Sequence, residues 1–240
     1  MRAEVFPDGE GLFETILTVR GVAQLLEEHI ARARDGAARL GYDFPTDRII
    51  SEKVEKTIFS SSVKTVLGRL RLIFNQEGDV SATLDEYQRW TAPATITVSN
   101  ALLDETSPIS GLKKLPYRSN LDVLDWARNL GFDDAIRFNK KGEVTETSVA
   151  NLLFKFDGAW FTPPLTSGAL PGIVRALALT WLPVQERTIM KSEIDGAESI
   201  YLLNSLKGFQ PVASVDHRAF RIDDELSKKA ATLTPFGSVG

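Results

Sequence analysis

Gly11-Leu12-Phe13-Glu14-Thr15-Ile16-Leu17-Thr18-Val19-Arg20 is the stretch on which the fold of this 240-residue chain turns. Leu12, Phe13, Ile16, Leu17 and Val19 favour extended backbone, and the turn formers Pro7-Asp8-Gly9 precede them, so the stretch predicts a strand that Gly21 breaks. From Gln24 to Leu40, Leu25, Leu26, Ile30, Ala33, Ala37 and Leu40 recur at helical spacing. A strand leading straight into an amphipathic helix opens a small α/β domain. Working outward, Asp47 to Ser60 reads as a weaker second helix, and Leu70–Phe74 and Ala94–Val98 read as strands.

The polar run Asp104-Glu105-Thr106-Ser107-Pro108, ending near Gly111, predicts a domain boundary. The expected division is a small N-terminal α/β domain over residues 1–105 and a larger domain over residues 106–240. In the larger part, Asn120 to Leu130 predicts a helix closed by Gly131. Strands are expected at Asp134–Phe138 and Val149–Phe156, flanking the turn Asn139-Lys140-Lys141-Gly142, and at Trp160–Thr162. Pro171-Gly172 opens a helix running through Arg175 to Trp181. Ser199–Leu203 reads as a buried strand, and Pro211-Val212 begins another.

Composition narrows the function. Hydrophobic residues make up 43% and charged residues 25%, as in ordinary globular domains. A net charge of −4 and a pI near 5.4 disfavour a nucleic-acid partner, which needs a basic face. The absence of cysteine excludes disulfides, thiolate catalysis and Cys-ligated zinc. Two histidines, His29 and His217, supply a metal site or a Ser-His relay poorly. No stretch has the length and apolarity of a membrane span, and Met1 to Gly11 lacks a signal-peptide core. The expectation is a cytoplasmic protein with a small-molecule substrate, no metal, no nucleic acid and no membrane partner.

A series of short motifs then runs along the chain. They are Gly11-Leu12-Phe13-Glu14-Thr15-Ile16, His29-Ile30-Ala31-Arg32, Lys113-Lys114-Leu115-Pro116-Tyr117 and Gly142-Glu143-Val144-Thr145-Glu146. Ala150-Asn151-Leu152, Thr162-Pro163-Pro164, Gly168-Ala169-Leu170-Pro171-Gly172-Ile173-Val174-Arg175 and Asn204-Ser205-Leu206 come after them. In this order and spacing, from about Asp8 to about Val215, they resemble the class IV (fold-type IV) aminotransferases. That family includes branched-chain and D-amino-acid aminotransferases and 4-amino-4-deoxychorismate lyase.

The resemblance implies a two-domain α/β fold-type IV enzyme with a small N-terminal α/β domain and a larger C-terminal pseudo-barrel. It implies pyridoxal 5'-phosphate (PLP) as cofactor, held on Lys113 as a Schiff base, because an unbranched amine forms a reversible imine with an aldehyde. Glu146, at a spacing of 146 − 113 = 33 residues, matches the acid that keeps the cofactor's ring nitrogen protonated. Arg32 matches the phosphate arginine, with Gly172, Ile173 and Val174 at a helix start and Asn204 and Ser205 as further phosphate contacts. Tyr117 matches a residue beside the cofactor ring, and Phe13 one lining the substrate pocket. His29 and Arg175 occupy family positions read as structural. No arginine for a substrate carboxylate stands out after Leu70–Phe74; Arg69, Arg71 and Arg118 are the ones at hand.

Chain length and the runs around Thr162-Pro163-Pro164 and Asn204–Val212 resemble the lyase more than the transaminases. The implied reaction forms 4-aminobenzoate and pyruvate. An amino-acid transaminase using the same Lys113 and Glu146 is the alternative, and a catalytically silent binding protein is a third reading. A homodimer is expected.

Overall fold

The computed structural model describes residues 9–63, 65–90 and 92–233, so Pro7 and Asp8 of the expected turn lie outside the described residues. In chain order the elements are β1 (Gly11–Val19), β2 (Val22–Ala23), α1 (Leu26–Leu40), α2 (Asp47–Ser60), β3 (Leu67–Phe74), β4 (Val80–Glu86) and β5 (Ala94–Leu103). Next come β6 (Lys114–Leu115), α3 (Arg118–Asn129), β7 (Asp134–Asn139), β8 (Val144–Thr147), β9 (Asn151–Phe156) and β10 (Ala159–Thr162). The rest are α4 (Ile173–Trp181), β11 (Val184–Glu186), β12 (Ser199–Asn204), β13 (Gly208–Val215), β14 (Arg218–Ala219) and α5 (Asp224–Thr232).

The chain divides into two compact units. The first holds the residues up to Arg89 together with Leu112–Arg118. The second holds Trp90–Gly111 and everything from Ser119 onward.

The first unit is one sheet, ordered β2-β1-β3-β4, with β6 paired to the start of β1. In the antiparallel β1–β3 ladder Leu12, Glu14 and Ile16 stand opposite Phe74, Leu72 and Leu70. Directly opposed residues share a sheet face, so this set makes one side of the sheet. Ile30, Ala33 and Ala37 of α1 and Ile50 and Val54 of α2 pack on it, completing the core of the unit. Burying each such branched side chain contributes roughly 1.5–3 kcal/mol. The helix ends are set by local chemistry: Thr46 caps α2 by accepting from the Ile49 N–H, and Gly41 ends α1 with φ 68°, a left-handed turn that favours glycine.

The second unit carries a sheet ordered β11-β10-β9-β12-β13-β5-β7-β8, with β14 beside β13. β5 pairs in parallel with both β13 and β7. The residues just after β11 reach back to β8. The Val144 N–H donates to the Ile189 carbonyl at 2.7 Å, and Glu143 bridges Met190. The sheet therefore closes on itself as a pseudo-barrel around Ile96, Ile136, Phe138, Leu152, Phe154, Ile200, Leu202 and Val212.

Three expectations move. β5, placed by its sequence in a first domain ending at residue 105, is an inner strand of the second unit's sheet, while Leu112–Arg118 belongs to the first unit. The expected strand Val149–Phe156 begins at Asn151 as β9, and a further strand, β8, precedes it across a tight turn in which the Thr147 N–H donates to the Ala150 carbonyl and Thr147 Oγ1 accepts from the Ala150 N–H. β4 is a further strand, on the edge of the first sheet.

Candidate active site

Lys113 is placed by β1 and β6. The Phe13 N–H donates to the Lys113 carbonyl at 3.0 Å, and Leu12 and Gly11 pair with Lys114 and Leu115. The Lys113 amine lies 4.4 Å from the centroid of the Phe13 ring and 5.1 Å from that of Tyr117. The two rings meet edge to face at 5.0 Å. Two aromatic rings beside one ammonium attract it electrostatically. The neighbouring Lys114 is turned elsewhere, its amine donating to the Leu115 carbonyl.

Phe13 and Glu14 are consecutive on a strand and so point to opposite faces. On the helix side, Glu14 is buried, and its carboxylate accepts from Arg32 through Nε at 2.9 Å and Nη2 at 2.5 Å. The Nδ1 of His29 contacts the same carboxylate at 2.6 Å. Burial alone would raise the Glu14 carboxyl, but the charges and hydrogen bonds of Arg32 and His29 outweigh it and hold it at about 2. Burial pushes the His29 imidazole below its ordinary value despite Glu14. Arg32 is thus brought to Glu14, a partner that its own motif does not announce. On the other face, Arg71 stands opposite Thr15 and Arg69 opposite Leu17, the same side as Phe13. Arg69 is paired with Asp85 at 3.1 Å, whereas Arg71 is buried beneath this face.

In the second unit, Glu146 sits on β8 and is buried. The next two residues are pinned. The carboxylate of Asp134 accepts from Thr147 Oγ1 at 2.7 Å and from the Ser148 N–H at 2.9 Å, and Asn120 donates to the Ser148 carbonyl at 2.9 Å. Glu146 Oε2 accepts from the Leu170 N–H at 3.0 Å and from Asn151 Nδ2 at 3.4 Å. Leu170 leads through Pro171 to Gly172, which begins α4. No side chain caps this helix, so the first-turn amides at Ile173 and Val174 face outward along its axis, a geometry suited to an anion. Arg175 points away from such a role: it donates to the Pro163 carbonyl and pairs with Glu186. Asn204 closes the turn after β12, its Oδ1 accepting from the Leu206 and Lys207 N–H groups, with Ser205 inside that turn.

The first unit thus offers a half-buried amine, and the second a buried carboxylate beside a helix start without a side-chain cap. Lys113, Phe13, Tyr117 and Arg32 lie in the first unit, and Glu146, Gly172, Ile173, Val174, Asn204 and Ser205 in the second. Glu14 and Asn151 stood in the motifs without a role, and their partners lie too far along the chain for spacing to reveal them. Among the described residues no group of three or more acidic, His or Cys side chains is placed to hold a metal, and no helix is long and apolar enough to cross a membrane.

These features define a fold-type IV enzyme, and comparison with known proteins agrees. The family model described as amino-transferase class IV matches residues 11–215. The chain belongs to the class IV aminotransferase family, a family of PLP-dependent enzymes. A Schizosaccharomyces pombe protein provisionally named aminodeoxychorismate lyase is 27% identical over 203 residues, 82% of this chain and 86% of that one. A branched-chain-amino-acid aminotransferase of Salmonella typhimurium is 26% identical over 218 residues, 79% of this chain and 69% of that one. A Legionella pneumophila structure, provisionally a 4-amino-4-deoxychorismate lyase, superposes with a TM-score of 0.84 at 27% identity, covering 92% of this chain and 89% of that one.

Proposed function

We propose that this chain is a PLP-dependent lyase that converts 4-amino-4-deoxychorismate to 4-aminobenzoate and pyruvate, a step of folate synthesis, and acts as a homodimer. The observation that carries the reading is the seat of Lys113, whose amine is held over the rings of Phe13 and Tyr117. Its choice over other reactions of the family is supported by the relatives from S. pombe and L. pneumophila, each matched over more than four fifths of both chains.

When bound, PLP supplies an electrophilic carbon for the amine and a sink for negative charge. Lys113 Nζ would hold the cofactor and, once displaced by the substrate amine, would accept the proton that the substrate ring loses on becoming aromatic. Phe13 and Tyr117 would hold that amine in place through their rings. Glu146 would hold a proton on the ring nitrogen, since a carboxylate favours the charged form of its partner. Arg32, the amides of Ile173 and Val174, Gly172, Asn204 and Ser205 would receive the phosphate. Phe13 would also border the substrate. Arg71, on the Phe13 face of the sheet, is the arginine best placed for a substrate carboxylate.

The purified protein should be yellow, and borohydride should fix the cofactor on Lys113 by peptide mapping. Lys113→Ala should reduce turnover to background with an unchanged melt. Given generated aminodeoxychorismate, the enzyme should release 4-aminobenzoate and pyruvate in equal amounts. A label on Lys114, or none, removes the site assignment. Activity only on amino acid and keto acid pairs would replace the lyase by a transaminase, the reading that the Salmonella relative favours. A fully active monomer in light scattering would remove the dimer.

A further inference from the structure

Asn151 opens β9 five residues after Glu146, since 151 − 146 = 5, and is 4% exposed. Its Nδ2 donates to the Leu170 carbonyl at 2.9 Å and lies 3.4 Å from Glu146 Oε2. The Leu170 N–H donates to that same oxygen at 3.0 Å. Three residues from β8, β9 and the turn before α4 therefore close a ring of contacts. Two residues on stands Gly172. A Cβ built there would overlap Asn151 Oδ1. Its φ of −70° is open to any residue, so glycine is required by the approach of the amide and not by the backbone. Both ends of the Asn151 amide are thereby used, Nδ2 on the acid and the turn, Oδ1 against the helix start.

We propose that Asn151 is a positioning residue that sets the separation between the Glu146 carboxylate and the N-terminal turn of α4. A pyridine ring with a phosphate arm is a rigid group. A carboxylate for its nitrogen and amides for its phosphate serve it together only at one spacing, and a buried side chain in contact with both keeps that spacing. The chemistry also explains an amide at this place. Aspartate would lose the donor to Leu170 and set a second negative charge beside Glu146, favouring a proton on one of the two carboxylates. The inference rests on the reading that the chain binds PLP.

Apoprotein titrated with PLP, followed by the visible absorbance of the bound cofactor, tests it. Asn151→Ala should weaken PLP binding about tenfold, the effect of stranding one buried partner. It should lower kcat while leaving the substrate KM within about twofold. Asn151→Asp should shift the pH profile of kcat, which a purely structural role would leave in place. Gly172→Ala should weaken PLP binding strongly in the natural background and much less beside Asn151→Ala, because the overlap is gone. If Asn151→Ala does not melt cooperatively, Asn151→Ser gives the same comparison. A wild-type protein that binds no PLP overturns the functional reading itself. Wild-type binding with a twofold or smaller change in Asn151→Ala, an unmoved pH profile in Asn151→Asp, or equal losses from Gly172→Ala in both backgrounds overturns the inference alone.

Discussion

The two units each bury a glutamate, and the contacts described around the two differ. In the first, Glu14 is gripped by the full charge of Arg32 on two nitrogens and by His29. In the second, Glu146 accepts from the Leu170 N–H and the Asn151 amide, which tie it to the turn before α4. A carboxylate neutralised by an arginine is a clamp: its charge is already spent on its partner, and what it does is fix helix α1 to strand β1. Glu146 instead ties strand β8 to β9 and to the turn that opens α4. The two glutamates thus join different elements: Glu14 a helix to a strand, Glu146 two strands to a helix start.

This contrast can be broken by measurement. The largest effect should come from Glu146→Gln, which keeps the hydrogen bonds but not the charge. We expect kcat to fall by about 10²–10³, with bound PLP and melting temperature little changed, checked by steady-state kinetics and calorimetry. Glu14→Gln should do the reverse. Removing the Glu14 charge from half-buried Arg32 should cost about 2 kcal/mol in denaturant unfolding, and the activity of the folded fraction should change less than for Glu146→Gln. Arg32→Ala should combine a smaller loss of stability with weaker PLP binding, partly restored by added PLP. An Arg32→Ala protein that binds PLP as tightly as wild type would leave Arg32 a purely structural partner of Glu14.

The smallest effect is in pH. His29 has a lowered proton affinity in the fold, so the unfolded chain takes up its proton first and stability falls as pH drops below the ordinary histidine value of 6.5. Glu14 is lowered to about 2, so its contribution is present above its ordinary 4.5 and is lost as pH falls from there toward 2. Denaturant melts at steps of pH should show both losses on the acid side. His29→Asn should remove the first, and a profile identical to wild type between pH 6.5 and 5 would show that His29 does not titrate on unfolding.

Local structure was legible where one residue pattern decided it. α2 matches its sequence boundaries because Thr46 caps it and Ile50 and Val54 keep helical spacing. β4 was not legible: Val80-Ser-Ala-Thr-Leu-Asp-Glu lies at the sheet edge with only Val80 buried, so hydrophobic alternation is faint. The membership of β5 was hidden for another reason. Its partners are β7 and β13, and a parallel ladder joins residues far apart, such as Val212 with Ala94, that no local pattern links. The site shows the same division. Lys113 and Glu146 stand in recognisable motifs, whereas the roles of Glu14 and Asn151 depend on contacts spanning 18 and 19 residues, to Arg32 and to Leu170.

The return of Leu112–Arg118 to the first unit has a consequence for biosynthesis. When a ribosome has released residues up to Arg89, the sheet still lacks β6 and the lysine that sits on the rings of Phe13 and Tyr117. Residues 90–118 must emerge first, 29 residues that take about 1.5–6 s at cellular elongation rates. The nascent first unit therefore waits, with the start of β1 an open sheet edge, and a chain severed at residue 105 would never carry the amine on which the chemistry depends.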